Sequence, residues 1–202
     1  MAILAELLQQ LLADSKEWAR GKMWQPRQVL LFYLGYILFY HLKDPMYTSW
    51  FKPLNLGIHE LGHMVFMPFG QFIGIAGGTI LQCLVPIIGL VMFYRQRDYF
   101  AVAVAVVWLG TNFYDVAFYV ADAVAMALPL VSPFAGSEII HDWHYLLSHL
   151  GLLSWHSGLA VLLRFAGTAA CLAGIGYATW LIWMMMAATP QQKAGKLGSR
   201  KS

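Results

Sequence analysis

From Tyr99 to Ala121 the chain carries a single charged residue, Asp115, and three further stretches, 29–42, 80–94 and 159–186, are nearly as apolar. A hydrocarbon layer about 30 Å thick takes about twenty apolar residues of helix to cross. It tolerates only structures that satisfy their own backbone, because nothing in it pairs with a free N–H or C=O. Apolar residues make up 59% of the sequence and charged ones 11%, against about half and about a quarter in ordinary globular chains. These observations predict an all-α membrane protein with about four spanning helices. A short motif-bearing helix, re-entrant or buried in protein, and amphipathic surface helices complete it. The chain divides into an amphipathic N-terminal surface helix (1–25), an integral-membrane helical domain (26–187) and a basic, disordered tail (188–202).

The formal charge of +3 is small, and its basic residues sit at the ends and in short connections. That pattern suits lipid headgroups and excludes nucleic acid as a partner. Ile3, Leu4, Leu7, Leu8, Leu11 and Leu12 recur at helical spacing with polar residues between them, as in a helix lying on a bilayer surface or against a partner. Cys83 and Cys171 lie within apolar runs and read as small buried hydrophobes.

The stretch 54–67 is too short to cross, and it contains His59-Glu60-Leu61-Gly62-His63. Histidines four residues apart share one face of a helix, so both can aim a ring nitrogen at one metal ion, with Glu60 beside them. A zinc ion held there lowers the pKa of a bound water towards neutrality, and Glu60 is placed to take its proton as general base. A catalytic zinc takes three protein ligands. His141, in His141-Asp142-Trp143-His144, is the first choice for the third. Asp142 is the alternative, being either the cap of the following helix or itself a ligand. Asp115 is another candidate, since a carboxylate inside a span is a functional hypothesis by default; paired with Asn112 or set behind a ligand histidine, it would be structural. His144, His149 and His156 read as interfacial or core residues.

Three basic regions, the N-terminal segment, Arg95 with Arg97, and the C-terminal tail, are expected on the cytoplasmic side. The motif and the histidine-rich segment 128–155 then share the opposite side. Glycines at 74, 77 and 78 would break a helix and suit either close backbone approach or a short strand.

The motif, the glycine-rich Gly74-Ile75-Ala76-Gly77-Gly78 and the pair Asn112 and Asp115 together resemble the site-2 protease class of intramembrane zinc metallopeptidases, notably its small bacterial members. The resemblance spans roughly residues 54 to 122. It implies that His59, His63 and a later aspartate, nearest Asp115, hold zinc, that Glu60 activates water, and that a strand near the glycines receives an extended substrate. The setting Phe113-Tyr114-Asp115-Val116 departs from the family's Leu-Asp-Gly pattern, and His141-Asp142-Trp143-His144 is an addition to it. The expected function is a membrane-embedded zinc hydrolase cutting a membrane peptide, in a prokaryotic inner membrane with both termini cytoplasmic. The alternative is a non-catalytic subunit of a larger membrane complex, with partner membrane subunits and a structural metal site.

Overall fold

The structure, a computed structural model, describes residues 2–129 and 140–198. Its described residues are all-helical, with no strand. The helices are α1 (Ala2–Ala19), α2 (Gln25–Lys43), α3 (Lys52–Phe66), α4 (Gln71–Arg95), α5 (Tyr99–Ala121), α6 (Asp142–His149) and α7 (His156–Gly198), with 3-10 turns at Met67–Phe69 and Leu153–Trp155.

Three helical stretches are long and apolar enough to cross a membrane: α4, α5 and Leu153–Ala188. The first of the expected spans, in α2, is not among them. Its apolar run is bracketed by Arg27, Gln28, His41 and Lys43 and interrupted by Tyr33, Tyr36 and Tyr40, which lowers its mean hydropathy. α2 nevertheless packs on the bundle, chiefly along α7, with Leu34 and Leu38 in one buried cluster with Val107, Tyr114 and Cys171.

α5 is the spine. Two thirds of its most apolar window, 67%, is buried inside the chain, against 28% in α4 and 22% in α7. Three apolar clusters follow it from end to end. The first joins Ala19, Tyr99, Ala103, Ala178, Leu181 and Met185; the second, Leu34, Leu38, Val107, Tyr114 and Cys171; the third, Val116, Val120, Ala123, Leu147 and Ala160. α7 runs antiparallel to α5 and presses close through small residues, as membrane helices do where backbones must approach. A Cβ on Gly110 would lie 2.9 Å from the Gly167 carbonyl oxygen, and one on Gly174 would lie 2.7 Å from that of Ala103.

The first cluster brings together the end of α1, the start of α5 and the C-terminal part of α7. Arg20, Lys22, Arg27, Arg95 and Arg97 therefore gather towards one end of the bundle. The C-terminal end of α1 is docked there: Ser15 is fully buried, its hydroxyl 2.6 Å from that of Tyr177. α7 continues as helix through Gly198, into the stretch expected as a disordered tail; Arg200 and Lys201 lie outside the described residues.

The glycines after the motif break nothing. They lie inside α4, which also carries Pro86, so of the two sequence expectations the described residues show close approach and no strand. α3 and α4 form an antiparallel hairpin whose turn passes through Gly70 at φ +103, a conformation open to glycine at little cost. The turn of the hairpin and the motif stand at the end where α5 finishes and α6 begins.

Candidate metal centre

Gly62 packs so tightly on α4 that an added Cβ would collide with the Gly77 carbonyl oxygen. One turn away the same intimacy serves the histidines. A Cβ on Gly78 would sit 2.6 Å from His59 Nε2 and 2.7 Å from His63 Nε2, so both nitrogens converge over a bare Cα. The two rings are 4.7 Å apart and nearly perpendicular.

The remaining ring nitrogens are taken. His63 Nδ1 lies 3.0 Å from the Gly74 carbonyl oxygen, which can only accept, so that nitrogen carries the hydrogen. His59 Nδ1 lies 2.9 Å from Gln82 Oε1 and donates to it in the same way. Metal-ligating histidines are commonly oriented like this, through the ring nitrogen that does not bind. Facing both Nε2 atoms is one carboxylate oxygen, Asp142 Oδ2, at 2.9 Å from His59 and 3.2 Å from His63.

A lone pair on each nitrogen would repel that oxygen, so a positive charge belongs between them. It is either protons on the imidazoles or a metal cation. Ligand atoms around tetrahedral zinc, each about 2.0–2.1 Å from the ion, lie about 3.3 Å from one another. The two separations from Asp142 Oδ2 differ from that by a few tenths of an ångström, and nitrogen and carboxylate donors both suit zinc. The residues fit the ion.

Burial alone would raise the Asp142 carboxyl, but hydrogen bonds from His59 and His63 outweigh it and hold it below the usual carboxylate range. Burial would lower the His63 imidazole; the hydrogen bond and charge of Asp142 reverse that and raise it. Glu60 lies beside them, half-buried, with a ligand atom in a group spanning at most 4.8 Å with those of the two histidines. Its carboxyl is raised by burial, against the opposing pull of His59 and His63.

The other candidates lie elsewhere. His141, first choice for the third ligand, is the cap of α6: its Nδ1 accepts from the His144 amide, and its Nε2 faces Asp122 at 3.2 Å. With both nitrogens engaged, it has no lone pair for a metal. The roles weighed for the two neighbours are exchanged, with His141 capping and Asp142 pointing at the histidines. Asp115 is committed to α3: Asn55 Nδ2 donates to it at 2.7 Å, and Lys52 Nζ stands 3.8 Å away. Asn55 in turn accepts from Trp108 Nε1 at 2.8 Å. Asn112 donates to the Trp108 carbonyl oxygen and not to Asp115. His144, His149 and His156 donate Nδ1–H to nearby backbone carbonyls. Glu138 lies outside the described residues.

Sequence reasoning missed Gln82, the Gly74 carbonyl and Asp122. Gln82 had a signal, being the lone amide in an otherwise apolar run. The Gly74 carbonyl had none, because any residue supplies one. Neither protein-family models, curated proteins nor solved structures give a match to this chain.

Proposed function

We propose that the chain is a membrane-embedded zinc metallohydrolase, a peptidase of the site-2 protease type acting on a peptide in or beside the bilayer. His59, His63 and Asp142 bind one zinc ion and Glu60 is the general base. The observation that carries this reading is His63: its Nδ1–H is committed to a backbone carbonyl while its Nε2 and that of His59 converge on one carboxylate. When bound, zinc supplies Lewis acidity, polarising a carbonyl and bringing the pKa of a water to about 7. Gln82 and the Gly74 carbonyl hold the hydrogen of each neutral ring on Nδ1, so that Nε2 is the nitrogen offered to the metal. Glu60 takes the proton of the attacking water, and burial lifts its carboxyl towards the working pH of such a base. Three protein ligands leave one position open, as catalysis requires.

The clustering of basic residues at the far end supports a topology with both termini cytoplasmic and the centre near the opposite face of a prokaryotic inner membrane. The test is elemental analysis of detergent-purified full-length protein. We expect one zinc per chain, absent from His59→Ala and Asp142→Ala and retained by Glu60→Gln, which in turn fails to hydrolyse peptides. A native protein that carries no metal after purification without chelators would sink the proposal.

A second reading makes Glu60 a fourth ligand, closing the site as in structural zinc centres. The chain would then be a non-catalytic subunit meeting partner subunits through exposed Leu61, Met64 and Val65 on α3. In that case Glu60→Gln weakens the metal itself.

A further inference from the structure

His59 and His63 stand on one hairpin, whereas Asp142 comes from α6, a helix of eight residues. So short a helix has little stability of its own, and its position is set by what it touches. Leu147 docks it among Val116, Val120, Ala123 and Ala160. Apolar contact of that kind is non-directional, so it leaves open which way the first turn faces.

That direction comes from the end of α5. Tyr119, Asp122 and Ala123 fall at the i, i+3 and i+4 spacing that places them on one face of a helix end, and each holds a different group of the first turn of α6. The Asp142 amide donates to the Tyr119 hydroxyl at 3.2 Å. His141 Nε2–H donates to Asp122 Oδ2 at 3.2 Å, and His144 Nδ1–H to the Ala123 carbonyl oxygen at 2.8 Å. Asp122 is itself held, accepting from the Ala127 and Leu128 amides at 3.0 Å each. His141 closes the arrangement by capping α6 through Nδ1.

We propose that Tyr119, Asp122 and His141 form a clasp that positions Asp142 over His59 and His63. The three are positioning residues for the metal centre, completing it from a helix that shares no element with the histidines. The inference rests on the ligand set given above. It assigns His141 the task of aiming the ligand next to it.

The test is titration of the metal-free, detergent-purified full chain with Zn2+ and Co2+, comparing Asp122→Ala, His141→Ala, the double variant and Tyr119→Phe with Asp142→Ala. Removing a partner behind a ligand typically costs 10–100-fold in metal affinity. Asp122→Ala and His141→Ala should each lose about that much, with the double variant little worse than either, because the two act through one contact. Tyr119→Phe, which removes only a hydroxyl, should lose less. The Co2+ absorption bands of the clasp variants should move towards those of Asp142→Ala, a change that general loosening would not produce. Far-UV circular dichroism identifies any variant that has lost its helices, and Tyr119→Phe and His141→Ala then carry the comparison. If Asp142→Ala loses affinity while the clasp variants keep native affinity and bands, the clasp is wrong and the ligand set stands. If Asp142→Ala itself binds like the native chain, both fall.

Discussion

The two halves of the candidate centre are built by different means. The histidine half is a hairpin of consecutive helices held by backbone contact, Gly62 against Gly77 and both rings against Gly78. The aspartate half is an eight-residue helix aimed by side-chain hydrogen bonds from the end of α5. Backbone contact leaves no room to adjust, whereas a ring of hydrogen bonds weakens in steps. The first half should therefore fail through packing and the second through loss of aim.

The sharpest way to break that contrast is Gly62→Ala. Its methyl meets the Gly77 backbone, which cannot turn aside, so the hairpin must open at a cost of about 3 kcal/mol or more. A thermal melt should show it even without metal. For Gly78→Ala the nearest atoms are ring atoms at 2.6–2.7 Å, and rings can swing. It should lower zinc affinity by 100-fold or more, about 2.7 kcal/mol in binding, while the metal-free melting temperature moves little. A metal-free melt of Gly62→Ala no lower than that of Asp122→Ala, which loosens only the aspartate half, would erase the distinction.

Asn55→Leu tests the support under the histidine half. It leaves the buried Asp115 carboxylate and the Trp108 N–H without their shared partner, which should cost about 1–3 kcal/mol in stability. Zinc stoichiometry should be retained, since Asp115 is read as an anchor for α3; loss of zinc without loss of stability would return Asp115 to the ligand set.

A smaller effect follows from pH. His63 is raised above its ordinary 6.5, so its contribution to metal-free stability is full below that pH and is lost as pH rises through the raised value. Asp142 is lowered from 3.8, so its contribution is present above that pH and is lost as pH falls through the lowered value. Without metal the pair thus stabilises most between about pH 4 and 6.5. Zinc competes with the His63 proton, so the melting temperature gained on adding zinc should grow from pH 5 to pH 8. Parallel curves with and without zinc would show that no imidazole proton is displaced. Smallest of all, His149→Ala at an exposed position should change stability by no more than about 0.5 kcal/mol and leave zinc binding unchanged.

How much could be read beforehand follows the same division. The spacing of His59 and His63 is local, and a helix places such residues on one face whatever surrounds it. The apolar runs announced α4, α5 and α7 because hydrocarbon demands continuous apolar length. Less was legible where two local rules competed. Glycines within an apolar run obey helix-breaking preference in isolation, yet here a neighbouring helix uses their bare surface and the helix continues. His141 and Asp142 could exchange roles because adjacent residues on a helix start differ by about 100° in direction, and local sequence does not choose between them.

The sequence by itself determined that this chain folds into helices, three of them long and apolar enough to span a membrane, and that His59, Glu60 and His63 share a short helix, since composition and periodicity act over a few turns. Only the tertiary structure decided that Asp142, 83 residues from His59, is the carboxylate facing both rings, that His141 turns to Asp122 and that Asp115 anchors α3. Each of those outcomes depends on the direction of a side chain relative to a helix far away in sequence. Hydrogen bonds across the α5–α6 and α3–α5 interfaces set that direction, and no periodicity records them.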